Sequence, residues 1–322
     1  MSILVTGGAG YVGSVVVADL VEKGEDVVVI DNLVYGHREN VPSSAAFYRG
    51  NIGDAQLVEK ILRKHEIRSC FHFSAFAYVG QSVENPQKYY RNNLVESISL
   101  FDSLLGFGVQ NVVFSSTCAT YGEPKYLPID ERHDQNPTNP YGWSKFMIER
   151  ILESYSSAYG LNFVGLRYFN AAGATETLGE RHDPETHLIP LVLQTALGNR
   201  DSISVYGNDY DTPDGTAVRD YIHISDLSQA HLLSLDYLKN GGVSSFFNLG
   251  NGEGCSVMEV IKAAERVTGR RISYELCPRR AGDPSKLVAN PAKAKETLGW
   301  IPQIPEIDRI VESAWRWLSK HR

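Results

Sequence analysis

The chain has 322 residues, 43% hydrophobic and 21% charged, which suffices for a large buried core and excludes disordered, collagenous and disulfide-knot classes. Its 31 Lys and Arg stand against 38 Asp and Glu, a net charge of −7 with no basic block, so nucleic acid is excluded as the main partner. Four scattered cysteines (Cys70, Cys118, Cys255, Cys277), no apolar run near the ~18 residues of a membrane span and no signal peptide predict a soluble, cytoplasmic protein with free thiols and no membrane partner.

Ile3 to Thr6 predicts a strand, followed by Gly7-Gly8-Ala9-Gly10-Tyr11-Val12-Gly13 and a helical pattern that stops at Gly24. Val27 to Ile30 supplies a second β-branched strand ending at Asp31, which makes one strand, helix, strand crossover of about 30 residues. The alternation continues with a helix near Asp54 to His65, a strand from Ser69 to Phe73, a helix near Tyr90 to Leu105 and a strand from Asn111 to Ser115. A further helix starts near Tyr141 and leads into a strand from Asn162 to Arg167. This order predicts an α/β fold built on a doubly wound parallel sheet. Beyond Asn170 the alternation loosens into turn-rich stretches such as Gly207 to Gly215, which predicts a smaller C-terminal α/β substrate domain. The expected division is 1–170 for the nucleotide domain and 171–322 for the substrate domain, with a soft boundary because the chain can cross back to the first sheet.

Gly7-x-x-Gly10-x-x-Gly13 lies between the first strand and helix, where glycines let backbone approach a pyrophosphate and a helix N-terminus offers unpaired N–H groups. Asp31, 18 residues after Gly13, ends the second strand, where a carboxylate can bind both ribose hydroxyls of NAD and repel a 2′-phosphate. A glycine trio alone also fits an ordinary tight turn; the strand, helix and acid around it favour a Rossmann-type NAD site. A P-loop is disfavoured, because Ser14 follows Gly13 where the phosphate-binding Lys belongs.

In Pro140-Tyr141-Gly142-Trp143-Ser144-Lys145, Tyr141 and Lys145 are four residues apart at a helix start and so share a face. A phenol with an ordinary pKa of about 10 is a poor base at neutral pH, and a neighbouring ammonium lowers it. Such a pair is more often surface decoration than machinery, but an upstream nucleotide loop reverses that balance. The nine histidines show no pair at metal spacing with suitable companions, so no metal is expected. His72 and His223 read as hydrogen-bonded structural residues, Cys118 as a small buried thiol, and no GxSxG elbow supports acyl transfer.

Taken together these motifs resemble the extended short-chain dehydrogenase/reductases, and within them the UDP-galactose (UDP-glucose) 4-epimerase family. The likeness runs nearly end to end, through Asp31-Asn32-Leu33, His72-Phe73, Phe114-Ser115-Ser116-Thr117, Tyr141-x-x-x-Lys145 and Arg167-Tyr168-Phe169-Asn170. It continues through Tyr206-Gly207-Asn208-Asp209-Tyr210, Val218-Arg219-Asp220-Tyr221-Ile222-His223, Asn248-Leu249-Gly250 and Pro278-Arg279-Arg280-Ala281-Gly282-Asp283. The resemblance implies C4 epimerisation of UDP-galactose and UDP-glucose through a transient 4-keto sugar with tightly bound NAD. It assigns Tyr141 as base, Lys145 as its electrostatic partner and Thr117 as a hydrogen-bond partner of the same sugar oxygen. The implied cofactor contacts are Gly7, Gly10, Tyr11, Val12, Gly13, Asp31, Asn32, Asn51, Ile52, Phe73, Ser74, Ala75, Asn92, Ser115, Tyr141, Lys145 and Tyr168. The implied substrate contacts are Thr117, Tyr141, Asn170, His187, Leu188, Tyr206, Arg219, Arg280, Asp283 and Leu287, with Arg219 and Arg280 meeting the diphosphate.

Related 4,6-dehydratases carry Asp-Glu after this Thr, and decarboxylating relatives a Glu at the second position; Cys118 and Ala119 supply neither, which disfavours both activities. Asn51 replaces a common Asp at the adenine, Ala77 a Lys near the cofactor phosphates, and His187 an Asn at the diphosphate. Leu287 stands where a Tyr narrows the sugar pocket and a small residue admits N-acetylhexosamines, which leaves UDP-N-acetylhexosamine open; Ser116 to Pro124 also resembles plant UDP-arabinose (UDP-xylose) 4-epimerases, which keeps UDP-arabinose/xylose open, and UDP-glucuronate is a further alternative. A net nucleotide-sugar oxidoreductase that releases NADH is the reading from another class. The stripe Leu94, Ile98, Phe101, Leu105 and the two-faced series Phe146, Ile148, Ile151, Leu152, Tyr155, Tyr159 predict a homodimer through paired helices, as in the family.

Overall fold

Parallel strands covered by helices on both faces must be apolar on both faces, and the central strands of this chain are. A computed structural model describes residues 1–280 and 283–321, so Ala281 and Gly282 of the Pro278 to Asp283 motif lie outside the described residues. Its first six strands are β1 (Ser2–Thr6), β2 (Asp26–Asp31), β3 (Ala46–Arg49), β4 (Ile67–His72), β5 (Asn111–Thr117) and β6 (Asn162–Tyr168). They are followed by β7 (Asn170–Ala172), β8 (Ile203–Tyr206), β9 (Val218–Arg219), β10 (Tyr221–His223), β11 (Ser245–Leu249), β12 (Cys255–Ser256), β13 (Tyr274–Cys277) and β14 (Lys286–Leu287). The helices are α1 (Tyr11–Glu22), α2 (Ala55–Lys64), α3 (Val79–Glu84), α4 (Pro86–Tyr89), α5 (Glu96–Gly106), α6 (Pro140–Tyr159), α7 (Leu188–Leu197), α8 (Ile224–Lys239), α9 (Val257–Thr268), α10 (Ala292–Leu298) and α11 (Ile307–Lys320).

Seven strands pair in the order β11, β6, β5, β4, β1, β2, β3, and every neighbouring pair is parallel. The two-residue period of a strand sends Ile3, Val5, Val27 and Val29 to one face, where they pack with Val16 and Leu20 of α1 and Leu227 and Leu235 of α8. It sends Leu4, Val28, Ile30 and Phe114 to the other, against Val58 and Ile61 of α2, Leu100 and Leu104 of α5, and Ile148 and Leu152 of α6. The strand order changes direction between β1 and β4, which opens a crevice beyond their C-terminal ends.

One feature differs from the expected layout. β3 is not legible in the sequence: its four residues are only partly buried or exposed, and it pairs on one side only, with β2. Beyond residue 170, α8 and β11 return to the first layer. β11 pairs with β6 from Ser245 opposite Val164 to Leu249 opposite Tyr168, covering an otherwise open apolar edge. The remaining smaller lobe packs α7, α9 and α11 around Ile189, Val192, Val260, Ile261 and Ile310. No helix among the described residues is long and apolar enough to cross a membrane.

Candidate active site

A cleft of about 1140 Å³ runs from the C-terminal ends of β1, β2 and β4 to the smaller lobe, roomy enough for a dinucleotide and a second nucleotide together. Its walls include Gly7, Gly10, Tyr11, Val12, Gly13, Asp31, Asn32, Asn51, Ile52, Phe73, Ser74, Ala75, Asn92, Ser115 and Tyr168. Thr117, Tyr141, Lys145, Asn170, His187, Leu188, Tyr206, Arg219, Arg280, Asp283 and Leu287 line the same cleft. The fold thus brings every candidate residue named from the sequence to one surface.

The glycine loop is shaped by two close approaches. Gly7 has φ +70°, and a Cβ there would fall 2.7 Å from the backbone N of Ser74. A Cβ on Gly13 would fall 2.3 Å from the Gly7 carbonyl oxygen. The N-cap of α1 is Gly10, which makes no side-chain capping bond, and the first turn carries no acid, so its N–H groups and positive dipole end face the cleft uncompensated. Asp31 accepts hydrogen bonds from the N–H of Ala9 at 3.0 Å and of Leu33 at 2.8 Å. Burial holds its carboxyl above the ordinary range while these two donors pull it back. Leu33 is left-handed (φ 61°), a strained turn held at the tip of β2. Asn32 donates to Asn51 at 2.9 Å, which links the two amides across the ends of β2 and β3. A cradle that any Cβ would fill, beside a buried carboxylate at ribose distance in sequence, fits a dinucleotide without a 2′-phosphate.

Helix α6 begins where Asn139 accepts from the N–H of Gly142 at 2.9 Å and Pro140 occupies the first turn. That start sets Tyr141 and Lys145 one turn apart above β5. Lys145 is 2% exposed, donates to the Ser115 carbonyl at 2.7 Å and lies 4.8 Å from the centre of the Phe114 ring. Burial pushes its ammonium pKa down to about 7, with Glu149 opposing. The Tyr141 hydroxyl is pushed well above the ordinary phenol range by burial, and a hydrogen bond with Thr117 pulls the other way. Thr117 is oriented in turn by the N–H of Ala119, 3.1 Å from its hydroxyl. The lysine's hydrogen bond goes to β5 rather than to Tyr141.

On the opposite wall Arg219 forms an ion pair with Asp283, and the Arg280 guanidinium lies 3.8 Å over the Tyr206 ring. Asn170 donates to the Asp220 carbonyl at 3.0 Å. Leu287 sits opposite Arg219 in the β14 and β9 pairing and packs against the cluster holding Cys118, Tyr121 and Phe169. The Cys118 thiol is buried and pushed up to about 12, an inert group. His72 bonds Thr6 at 2.7 Å and Ser97 at 2.8 Å, and His223 bonds Ser313 at 3.0 Å, the structural roles expected of both.

Three groups escaped the sequence reading. Asn93, on a π-helical turn spanning Tyr90–Val95, pins the backbone of Phe76 through both N–H (2.8 Å) and C=O (3.0 Å), and no local pattern announces it. Glu149 is wholly buried one turn beyond Lys145 and takes two hydrogen bonds from Arg167, at 2.9 and 2.7 Å, plus one from Ser116. Its position four residues after Lys145 was the available signal. The third is Glu180, His182 and Glu185, which join His187 so that four ligand atoms lie within 4.8 Å of one another, companions that the histidine spacing did not reveal.

A sequence profile of the NAD dependent epimerase/dehydratase family matches residues 3–250. The chain is 50% identical over 323 aligned residues to the UDP-glucose 4-epimerase of Lacticaseibacillus casei, covering 100% of this chain and 98% of that protein. A crystal structure of a UDP-glucose 4-epimerase superposes with TM-score 0.97 at 49% identity, covering 99% and 98% of the two chains. The UDP-glucose 4-epimerase of Brucella ovis in complex with NAD superposes with TM-score 0.95 at 47% identity, covering 98% and 97%. With cleft, motifs and full-length likeness in agreement, the chain belongs to the NAD dependent epimerase/dehydratase family.

Proposed function

We propose that this protein is an NAD-dependent UDP-sugar 4-epimerase that interconverts UDP-galactose and UDP-glucose. The observation that carries the reading is the single cleft in which a glycine cradle with Asp31 at one end and Arg219, Arg280 and Asp283 at the other meet over Thr117, Tyr141 and Lys145. Gly7, Gly10, Gly13 and Asp31 would hold NAD, which would supply the acceptor for a hydride from C4 of the sugar and give it back on the opposite face. Tyr141 takes the proton from the 4-hydroxyl and gives it back after the sugar has turned over. Thr117 holds that oxygen in line with the phenol. Lys145, fixed by Ser115, supplies the positive charge that favours the phenolate through space. Turning the sugar over requires firm contacts on the nucleotide and few on the hexose, and Asn170, His187, Leu188, Tyr206, Arg219, Arg280 and Asp283 fill that role. Arg219 must share its guanidinium between Asp283 and the incoming diphosphate. Cys118 and Ala119 offer no acid or base for elimination, which supports epimerisation over dehydration.

The active form in this reading is a cytoplasmic homodimer. Val95, just before α5, is 57% exposed, and Met147 (37%) and Tyr159 (66%) lie on α6, apolar surface that suits matching helices of a second copy. Purified protein given a panel of UDP-sugars without added NAD tests the function, with the C4 epimers resolved by NMR. Conversion of UDP-galactose to UDP-glucose is expected. Failure with every sugar despite bound NAD refutes it, and net reduction of added NAD in the near ultraviolet would identify an oxidoreductase instead.

A further inference from the structure

The segment between β7 and α7 crosses the cleft where its cofactor and substrate halves join, and it carries Glu180, His182, Glu185 and His187. Nδ1 of His182 lies 2.9 Å from Glu180 Oε1, and Nδ1 of His187 lies 2.5 Å from that oxygen and 3.3 Å from Glu185 Oε1. Only 7% of either glutamate side chain is exposed. No lysine or arginine among the described residues pairs with these carboxylates, and Arg181, between them in sequence, turns away to Glu39 at 3.0 Å. Glu185 Oε1 also accepts from the backbone N–H of Thr186 at 2.7 Å and of His187 at 2.8 Å, and the remaining charge of two carboxylates this deeply buried falls to the two imidazoles or to a bound cation.

An independent observation comes from a different element. The Tyr78 side chain, at the start of α3 and only 7% exposed, sets its ring edge-on to His182 with centroids 5.8 Å apart. Its buried hydroxyl has no hydrogen-bond partner among the described residues and lies within electrostatic reach of Glu185 and Glu180. A buried, unpartnered hydroxyl beside a ligand set is the kind of group that orients a metal-bound water or a ligating carboxylate.

We propose that Glu180, His182, Glu185 and His187 form a binding site for a divalent transition metal of the zinc class. Zinc to nitrogen and oxygen bonds of about 2.0–2.2 Å place tetrahedral ligand atoms about 3.4 Å apart, and the four atoms here, all within 4.8 Å, reach that shape by small shifts in which the pairs at 2.5 and 2.9 Å open and the widest pairs close. Two imidazoles with two carboxylates select zinc, cobalt or nickel over magnesium and calcium, which prefer oxygen alone. His187 is the N-cap residue of α7, so the ion ties the start of that helix, and with it Leu188, to the Glu180 end of the segment. With His187 on the ion, the nucleotide contacts fall to the other residues of the nucleotide-binding set, and the site does not depend on which UDP-sugar the cleft accepts.

The test uses the full-length, NAD-loaded protein, stripped with a chelator and titrated calorimetrically with zinc chloride, with retained metal counted by mass spectrometry after gel filtration. One zinc per chain is expected, and no binding heat from magnesium chloride. X-ray absorption of the zinc-loaded protein should show nitrogen and oxygen ligands and no sulfur. His182→Ala and Glu185→Gln should each weaken zinc binding by about tenfold or more while bound NAD and circular dichroism stay unchanged. If His182→Ala does not fold, His182→Asn takes its place. No retained zinc, sulfur ligation, or variants that bind zinc as tightly as the parent would each overturn the proposal and leave the four residues as a proton-sharing network.

Discussion

Lys145→Met separates what the buried ammonium costs the fold from what it does for the chemistry. The lysine is 2% exposed, and burial lowers its pKa from 10.5 to about 7. A shift of that size corresponds to about 5 kcal/mol of penalty on the charged form, at about 1.4 kcal/mol per pKa unit. Methionine fills a similar volume without charge but leaves the Ser115 carbonyl without its donor, a loss of about 1–3 kcal/mol. The NAD-stripped variant should therefore be more stable than the parent by about 2–4 kcal/mol at pH 6, or roughly 4–8 °C in melting temperature. The sign follows from proton counting. Between pH 7 and 10.5 the unfolded chain keeps a proton on this lysine that the folded chain has released, so the parent gains stability as pH rises through that window. The variant's advantage is thus complete below pH 7 and fades toward pH 10.5. Denaturant unfolding of both proteins at pH 6, 8 and 10 measures it, with epimerisation falling by about 10²-fold or more in the same variant. A variant no more stable than the parent at pH 6, or an advantage that grows with pH, would refute the account of Lys145 as a charge held at the expense of the fold.

Tyr141→Phe should keep bound NAD, measured after acid release, and lower kcat by about 10²–10⁴-fold; turnover near the parent's would contradict its role as base. Glu149→Gln leaves the 3% exposed Arg167 side chain without its counter-ion and should cost about 3–5 kcal/mol in chemical denaturation, more than any exposed ion pair of the chain. Leu287→Tyr should depress turnover of UDP-N-acetylhexosamines more than of UDP-galactose in a competition assay; equal effects on both would remove Leu287 as the gate of the sugar pocket.

The sequence determined what depends on neighbours along the chain. Val27 to Ile30 can be only a buried strand, Gly7, Gly10 and Gly13 only a loop that something approaches closely, and Tyr141 and Lys145 share a helix face because they are four apart. Motif order also carried the family resemblance, and with it residues as distant as Thr117 and Arg280. Tertiary structure decided what depends on contacts between remote segments. Only the open edge of β6 calls β11 back into the first sheet from beyond residue 170. Only burial reveals that Lys145 is anchored to the Ser115 carbonyl, that Glu149 and Arg167 neutralise each other behind it, and that Arg219 is paired with Asp283. The same holds for Glu180, His182, Glu185 and His187: hydropathy and spacing describe a polar loop, while the packing of Tyr11 and Tyr78 against His182 turns that loop inward and gathers four ligand atoms. Local propensity is written residue by residue, but desolvation and charge pairing act through space, and they exist only once the chain has closed on itself.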